Sequence, residues 1–396
     1  MTRRILVAGA GLSALRTVEQ LRTAGWSESI TVVGAEPHPP YNRPPLTKEA
    51  LRGGIDPDAL RFPHRSSISD VEWRLGRRVD GVDLRSRRAT LDDGEMLTYD
   101  GLVVATGVRS RTLRLDGPPR HRIRTVDDAQ RLRRELIPGA RVTVIGAGFI
   151  GCEVAATAAG LGCVVTVVEP LETPLRVAVG RLVGDELRRR HEQQGVRSRL
   201  GRSVVRLDGD VVLDDGSRVG TDVVVEAVGS VPNVEWLDGN GLDLSDGVLC
   251  SSDLHPVTAS GPVTEVVAVG DVVRFPNPRF GATSLRIEHW TMCGDTARHA
   301  AVSLVAGLNG GSSERPEFAP LPTFWSEQFG TRLQSFGVPG LGLDDVRVLE
   351  GDLRDECAVG YHRDGVLVGV VLLGLRTRMM QFRQLLVDAT QLAGQR

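Results

Sequence analysis

The sequence predicts an α/β fold with two strand–turn–helix–strand units and a small α+β domain at the C-terminal end. Two observations predict the units: an apolar, β-branched run meets a glycine-rich turn and then helix-forming sequence at residues 5–36, and again at residues 142–169. A third observation is that four short apolar runs and a final helical stretch follow residue 322. Because one supersecondary pattern recurs in one chain, we expect a duplicated architecture with two parallel sheets.

The first unit has the glycine-rich sequence Gly9-x-Gly11-x-x-Ala14 directly after its first apolar run, and a second apolar run leads to Glu36. Glycines at this spacing between a strand and a helix let the pyrophosphate of a dinucleotide approach the backbone, and alanine is tolerated at the third position. The unit is therefore predicted to be a Rossmann-like dinucleotide-binding domain.

The segment that follows the first unit is rich in proline, PPYNRPPLTK from Pro39 to Lys48. Its prolines predict a stiff, extended loop rather than a helix, and such a loop would hold Arg43 and Lys48 over the ligand of the first unit. Lys48 is the single lysine among 48 basic residues. One interpretation is a site that requires a compact ammonium; the other is chance survival in an arginine-biased chain.

Two further apolar runs end in residues that could contact a ligand. The run from Tyr99 ends in Thr106 and Gly107, and the run from Val266 ends in Asp271. We expect both to be buried parallel strands of the first domain. The predicted division is residues 1–112 with 246–315 for the first domain, 113–245 for the second and 316–396 for the third, with a polar linker over residues 310–314.

The second unit carries the complete glycine pattern Gly146-x-Gly148-x-x-Gly151 between an apolar run and an alanine-rich helical stretch. Gly146 is expected to make the tight turn, Gly148 to let a pyrophosphate touch the backbone, and Gly151 to let helix and strand pack closely. The phosphates would lie at the positive end of the helix dipole. The second unit therefore predicts a second bound dinucleotide.

The second unit ends in an acidic residue, Glu169. A carboxylate at the end of this strand can accept hydrogen bonds from both hydroxyls of an adenosine ribose, and it would repel a 2′-phosphate. The sequence therefore predicts that NADH is preferred to NADPH.

Composition narrows the class of protein. A net charge of −2 with 25% charged residues gives no reason to expect nucleic-acid or membrane partners. The chain starts directly with a strand and has no apolar run near the roughly 18 residues that span a bilayer, so we expect a cytoplasmic protein. Its five cysteines contain no C-x-x-C pair, which predicts neither a zinc site nor a redox-active dithiol.

With these residues assembled, the whole chain resembles the FAD-dependent NAD(P)H reductases of ferredoxins, rubredoxins and putidaredoxin-type proteins, a branch of the glutathione-reductase-like two-dinucleotide fold. The motifs that carry the resemblance are YNRPPLTK (41–48), VVATG (103–107), GAGFIGCE (146–153), AVGSVPN (227–233), AVGDV (268–272), RIEHW (286–290) and FWSEQFG (324–330). The resemblance implies an FAD domain, an NAD domain and a C-terminal interface domain.

The resemblance also implies which residues contact the two cofactors. The expected FAD contacts are Gly9, Gly11, Leu12, Ser13, Ala14, Glu36, Arg43, Lys48, Val79, Ala105, Thr106, Gly107, Arg111, Asp271, Glu288, His289, Trp290 and Trp325. The expected NADH contacts are Gly146, Gly148, Phe149, Ile150, Gly151, Glu169 and Gly229.

The resemblance places Lys48 and Glu153 together beside the flavin as the catalytic pair. Two-electron reduction leaves an anionic ring that a buried ammonium stabilises, and Glu153 would keep that ammonium charged and oriented. A second interpretation makes Glu153 a helix first-turn acid favoured by the dipole. Phe149 either covers the flavin until nicotinamide displaces it or is a core residue.

The implied activity is electron transfer from NADH through FAD to a small acidic ferredoxin that serves a monooxygenase or dioxygenase. A basic rim should steer such a partner, with Arg298, Arg332, Arg376 and Arg378 as candidates. The nearest alternative is an NADH oxidase or a peroxide or disulfide reductase of the same fold, but those rely on a cysteine that residues 37–60 lack. A flavin-binding signalling protein is the third interpretation.

Overall fold

The computed structural model describes residues 3–54, 56–63, 65–281, 283–311 and 316–393. The chain divides into two compact units. The first contains Met1–Asn42, Pro57–Arg109 and Pro232–Thr323, and the second contains Arg43–Asp56, Ser110–Val231 and Phe324–Arg396.

A five-stranded parallel sheet forms the centre of the first unit. Its strands lie in the order Val266–Ala268, Gly101–Val104, Arg4–Ala8, Ser29–Gly34 and Glu72–Leu75. Their β-branched side chains are almost completely buried, as expected for a sheet covered on both faces. Because all five strands run the same way, their carboxyl ends meet at one edge, which is where open α/β sheets bind ligands.

Helices Leu12–Thr23 and Met292–Leu308 cover this sheet. Leu12–Thr23 buries Ala14, Leu15, Val18 and Leu21, the spacing of one helical face. Three other strands of the unit form one antiparallel sheet: Val79–Asp83, Arg88–Leu91 and Met96–Thr98. Further short strands of the unit are Val248–Leu249, Val257–Thr258, Gly261–Pro262, Val273–Pro276 and Ser284–Arg286.

A four-stranded parallel sheet forms the centre of the second unit. Its strands lie in the order Arg197–Leu200, Val164–Glu169, Arg141–Ile145 and Val223–Glu226. Helix Phe149–Gly160 follows the glycine-rich turn, and helix Val126–Glu135 begins with a capping box in which Thr125 and Asp128 bond each other's backbone N–H. The second unit also contains helix Arg176–Gln193, which Gly180 interrupts, and strands Val204–Asp208, Asp210–Leu213 and Arg218–Val219.

The C-terminal part of the chain forms a five-stranded antiparallel sheet with one helix, Met379–Ala393. Its strands lie in the order Thr323–Gln328, Thr331–Gly337, Val366–Leu373, Cys357–Arg363 and Asp345–Gly351. Two side chains attach the sheet to helix Arg176–Gln193. Arg190 donates to the carbonyl oxygens of Leu353 and Asp355 at 3.0 and 2.7 Å, and the Tyr361 hydroxyl donates to that of Val179 at 2.7 Å.

This architecture confirms the predicted fold class, with two parallel-sheet units and a C-terminal α+β domain. The extended loop predicted for Pro39–Lys48 is wrong at its end, because Pro44–Thr47 forms a 3₁₀ helix and Glu49–Gly53 an α-helix. Proline fits the first turn of a helix, where its missing N–H has no partner to lose. Of the predicted linker, residues 312–314 lie outside the described residues. Within the described ranges no helix has the length and apolarity needed to cross a bilayer.

Candidate functional site

The glycine-rich turn of the first unit is tightly constrained on one side and open on the other. Gly9 has φ +109°, and a Cβ there would lie 2.2 Å from the Ala105 carbonyl oxygen. Gly11 precedes helix Leu12–Thr23 and provides no side-chain cap. Apart from its chain neighbours, no atom of the described residues lies within 4 Å of the position that a Cβ on Gly11 would occupy. The turn therefore leaves uncapped N–H groups at a helix N-terminus facing open space, as an anion site requires.

The end of strand Val266–Ala268 reaches the same helix. A Cβ on Gly270, which has φ +74°, would lie 2.1 Å from the Ser13 hydroxyl oxygen. Only glycine allows this approach, and it brings the next residue, Asp271, close to the first turn of the helix. Ala14 at the third motif position is fully buried. Gly270 was not among the predicted site residues, although the Gly-Asp pair at a strand end is its signal.

Two hydrogen-bonded pairs fix further predicted residues of the first unit. The Tyr41 hydroxyl donates to a carboxylate oxygen of Glu36 at 2.6 Å. The Thr106 hydroxyl donates to the Asn233 carbonyl oxygen at 2.7 Å, and the Asn233 amide donates back to the Thr106 carbonyl oxygen at 2.9 Å. Tyr41 thus holds the Glu36 carboxylate, and Asn233 holds Thr106, in place. Neither Tyr41 nor Asn233 is among the ligand contacts predicted from the sequence.

The remaining predicted residues of this unit have different environments. Val79 is buried in its strand, and Gly107 has φ +61°. The Trp290 indole N–H donates to the side-chain oxygen of Asn42 at 3.2 Å. Glu288 bonds Arg286. Burial lowers the pKa of His289 to about 4, so its imidazole is neutral near pH 7.

The glycine-rich turn of the second unit repeats the geometry of the first. Gly146 has φ +101°, and a Cβ there would lie 2.3 Å from the Ala227 carbonyl oxygen. A Cβ on Gly151 would lie 2.0 Å from the Gly146 carbonyl oxygen, whereas nothing lies within 4 Å at Gly148. Helix Phe149–Gly160 has no side-chain cap at its N-terminus. The two units therefore carry the same anion-binding device.

Glu169 lies at the end of its strand, as predicted. Its carboxylate accepts from the Ala147 N–H at 2.7 Å and from the Leu171 N–H at 3.1 Å, so it also stabilises the glycine-rich turn. Ile150 is exposed, and the Phe149 ring packs on the Phe324 ring with centroids 4.8 Å apart. Gly229 has φ +100° and its carbonyl oxygen accepts from the Arg111 N–H at 2.9 Å.

Lys48 and Glu153 are brought together in the second unit. The Lys48 ammonium nitrogen lies 2.5 Å from one Glu153 carboxylate oxygen, and the two side chains are only 12% and 5% exposed. The Thr47 hydroxyl donates to the same oxygen at 2.6 Å, and the Ser326 hydroxyl donates to the other at 2.6 Å. A buried charge pair with this many hydrogen bonds is a candidate for electrostatic catalysis.

The structure excludes one of the two interpretations of Glu153. Helix Phe149–Gly160 has no acidic residue in its first turn, and Glu153 is its fifth residue. The first-turn interpretation is therefore wrong, because the dipole effect is confined to the first turn.

Four of the predicted arginines, and Trp325, also have local partners. Arg43 donates to the Arg124 carbonyl oxygen at 2.6 Å, and the Arg332 guanidinium lies 5.7 Å from the centre of the Trp325 ring. Arg378 pairs with Glu350 at 2.9 Å and Arg298 with Asp295 at 3.3 Å. Among the residues that the structure describes, no group of three His, Cys, Asp or Glu side chains could hold a metal ion.

Comparison with known proteins gives a consistent result over the full chain. The pyridine nucleotide-disulphide oxidoreductase family matches residues 3–297, and the reductase C-terminal family matches residues 323–396. The chain is 36% identical to the anthranilate 1,2-dioxygenase system ferredoxin–NAD(+) reductase component of Burkholderia cepacia, over 98% of this chain and 96% of that protein.

Two solved structures extend this similarity. The ferredoxin reductase for the CYP199A2 system from Rhodopseudomonas palustris has a TM-score of 0.89 and 31% identity, covering 97% of this chain and 95% of that one. The reductase in the covalent putidaredoxin reductase–putidaredoxin complex has a TM-score of 0.89 and 28% identity, covering 98% and 93%.

Proposed function

The chain belongs to the pyridine nucleotide-disulphide oxidoreductase family, and we propose that it is an NADH-dependent ferredoxin reductase that passes electrons through FAD to a ferredoxin-type iron–sulfur protein. The relative from Burkholderia cepacia is a ferredoxin–NAD(+) reductase component of a dioxygenase system. The enzyme class predicted from the sequence, an NADH-dependent ferredoxin reductase, is the same as that of this relative. In this function the acceptor would serve a terminal oxygenase.

The observation that carries the proposal is the repeated glycine turn. In each unit the first glycine is forced by a carbonyl oxygen, Ala105 for Gly9 and Ala227 for Gly146, while the second glycine faces open space. Both turns end at uncapped helix N-termini, which fit the pyrophosphate of a dinucleotide. A protein with two such sites can hold a flavin dinucleotide and a nicotinamide dinucleotide at once.

We assign the first turn to FAD and the second to NADH. When bound, FAD would accept two electrons from NADH and pass them one at a time to an iron–sulfur centre. The residues proposed to contact FAD are Gly9, Gly11, Leu12, Ser13, Ala14, Glu36, Arg43, Lys48, Val79, Ala105, Thr106, Gly107, Arg111, Asp271, Glu288, His289, Trp290 and Trp325. The residues proposed to contact NADH are Gly146, Gly148, Phe149, Ile150, Gly151, Glu169 and Gly229.

The catalytic role is assigned to Lys48 with Glu153. A buried ammonium stabilises negative charge that develops on a bound cofactor, and its own carboxylate partner keeps it protonated. The 2.5 Å contact and the low exposure of both side chains support this role, because neither charge is screened by bulk water. The three-domain division predicted from the sequence remains part of this proposal.

Four of the five cysteines have thiols that are unsuited to peroxide or disulfide reduction. Burial raises the pKa of Cys152 to about 12 and that of Cys357 to about 11, and it raises the pKa of Cys163 and Cys250 as well. A thiol that reduces peroxide or a disulfide needs a low pKa and access to solvent. These four thiols therefore oppose the alternative of a peroxide or disulfide reductase.

The proposed partner is a small acidic ferredoxin, and the proposed location is the cytoplasm, where NADH is regenerated. The five cysteines, all of which lie within the described residues, form no disulfide with one another, which is typical of proteins in a reducing compartment. An acidic partner would make the reaction slower at high salt, since screening removes long-range attraction.

The test is steady-state oxidation of NADH by the FAD-loaded protein with different acceptors. Ferricyanide should be reduced directly, and cytochrome c should be reduced rapidly only when a [2Fe–2S] ferredoxin is added. Peroxide or disulfide turnover at a rate comparable to the ferredoxin reaction would contradict the proposal, as would cytochrome c reduction that does not depend on ferredoxin.

A matched pair of variants tests the second site. Gly151→Ala puts a Cβ 2.0 Å from the Gly146 carbonyl oxygen, whereas Gly160→Ala, in the same helix, adds one with no atom within 4 Å. We expect Gly151→Ala to raise the KM for NADH or abolish NADH oxidation while FAD stays bound, and Gly160→Ala to behave as wild type. Unchanged kinetics in Gly151→Ala would remove the second turn from NADH binding.

A further inference from the structure

A chain of buried polar side chains leads from Glu153 to His191 across three elements of the second unit. Ser326 donates to Glu153 at 2.6 Å, Gln328 donates to the Ser326 hydroxyl oxygen at 3.0 Å, and His191 Nε2 lies 2.7 Å from the Gln328 side-chain oxygen. These side chains are nearly inaccessible, with residue exposures of 0% for Ser326, 4% for Gln328 and 6% for His191. The catalytic carboxylate is thus attached to helix Arg176–Gln193 through the first strand of the C-terminal sheet.

The direction of every hydrogen bond in this chain follows from its carboxylate end. An ionised Glu153 can only accept, so the single proton of Ser326 points to Glu153 and the Ser326 oxygen must accept from Gln328. The amide nitrogen of Gln328 therefore faces Ser326, and its oxygen faces His191. His191 must then donate from Nε2, which fixes the tautomer of a neutral imidazole. Burial lowers the pKa of His191, which favours that neutral form.

We propose that Ser326, Gln328 and His191 are positioning residues that hold the Glu153 carboxylate in one orientation and, through it, fix the Lys48 ammonium for electron transfer. In the described part of the chain, Ser326 is the partner of one carboxylate oxygen, while Lys48 and Thr47 share the other. Without the Ser326 bond the carboxylate can rotate about its terminal torsion. The inference rests on the proposed function for its kinetic consequence, but its structural consequence can be measured without any electron acceptor.

Lys48 offers a direct probe, because it is the single lysine in the chain. Protein grown with lysine labelled with ¹³C at Cε gives one side-chain resonance, which needs no assignment. In the FAD-loaded wild type we expect a rigid ε-methylene with two distinct proton shifts. Ser326→Ala and Gln328→Leu should bring these shifts together and increase the mobility of the methylene, because the ammonium loses its fixed partner.

The chain provides a matched control for the serine variant. Ser335 is also 0% exposed and lies on the neighbouring strand of the same sheet, yet its hydroxyl has no hydrogen-bond partner among the described residues. Ser335→Ala should therefore leave the Lys48 resonance unchanged. Ser326→Cys keeps the size of the side chain with a weaker donor, so it should give an intermediate result even if Ser326→Ala folds poorly.

The kinetic readout separates positioning from general stability. Rapid-mixing measurement of flavin reduction by NADH should show Ser326→Ala slower by roughly tenfold, as expected when one charge-assisted hydrogen bond is lost, with the KM for NADH unchanged. A wild-type Lys48 resonance in Ser326→Ala, or an equal change in Ser335→Ala, would overturn the proposal. Failure of the protein to reduce any ferredoxin would refute the proposed function but leave the resonance test intact.

Discussion

Removal of one member of the Lys48–Glu153 pair should be far more damaging than removal of both. At 2.5 Å and an effective dielectric constant of about 20, the gross Coulomb attraction is about 7 kcal/mol, much of which offsets the desolvation of two side chains that are 12% and 5% exposed. Glu153→Leu leaves a buried ammonium without its counter-charge, and Lys48→Met leaves a buried carboxylate. Each single variant should lose about 3–5 kcal/mol of unfolding free energy.

The double variant Lys48→Met/Glu153→Leu has a different balance. The double variant has no buried charge at these two positions. Its main loss of unfolding free energy comes from the Thr47 and Ser326 hydroxyls, which no longer have the Glu153 carboxylate as acceptor. At about 1 kcal/mol for each hydroxyl, the double variant should be only about 2 kcal/mol less stable than wild type. Since the two single losses sum to about 6–10 kcal/mol, the coupling energy should exceed about 3 kcal/mol.

The assay is urea unfolding of all four proteins at one pH and one FAD concentration, with the Kd for FAD measured for each protein so that the contribution of cofactor binding can be subtracted. The exposed pair Arg141–Asp222 is a suitable control, because its nitrogen–oxygen distance is 2.6 Å but its side chains are 52% and 47% exposed. The same cycle there should give a coupling too small to separate from experimental error. Additive losses at Lys48 and Glu153 would refute the conclusion that this pair is buried and mutually dependent.

Three further predictions concern single residues. Glu169→Gln keeps an acceptor for the Ala147 N–H but removes the charge, so it should narrow the preference in kcat/KM for NADH over NADPH; equal use of both by the wild type would contradict the proposed role. The pKa of His289 is about 4 in the folded protein and about 6.5 in the unfolded chain, so between these pH values the unfolded chain binds one more proton. The free energy of unfolding should therefore fall by up to about 1.4 kcal/mol per pH unit as the pH drops from 6.5 to 4. His289→Asn should flatten that slope in urea titrations, and an unaltered slope would show that His289 is not its source. Lys48→Ala should slow flavin reduction and lower the flavin midpoint potential in dye-coupled titrations, and an unchanged potential would exclude Lys48 from the mechanism.

The features that the sequence predicted correctly are those whose sequence signal is local. Gly9 and Gly146 could be located from the strand before and the helix after, although the carbonyl oxygens that exclude a Cβ at these positions belong to the distant residues Ala105 and Ala227. The same holds for Glu36 and Glu169 at the ends of the second strands. Each is defined by fewer than forty consecutive residues, so alternation, glycine spacing and strand ends were sufficient to locate them.

The features that escaped prediction depend on residues far apart in the chain. Glu153 and Ser326 are separated by 173 positions, and His191 and Gln328 by 137. No spacing rule connects such residues, and serine, glutamine and histidine are common at surfaces. The sequence FWSEQFG carries the family resemblance, but only the tertiary structure shows that its serine and glutamine lead to the Glu153 carboxylate. The 3₁₀ helix at Pro44–Thr47 does not follow from the rule that proline breaks helices, because proline also fits the first turn of a helix.

The preference for lysine at position 48 has a geometric explanation in the structure. One Glu153 oxygen accepts from Thr47 and Lys48, and the other accepts from Ser326, so Lys48 contacts only one of the two carboxylate oxygens. An ammonium fits one position as a point charge, whereas a guanidinium pairs with both oxygens of a carboxylate. Lys48→Arg should therefore displace the Ser326 or Thr47 hydroxyl and slow flavin reduction nearly as much as Lys48→Ala, although the charge is kept. Rapid mixing with NADH measures this rate, and wild-type kinetics in Lys48→Arg would show that charge alone is sufficient.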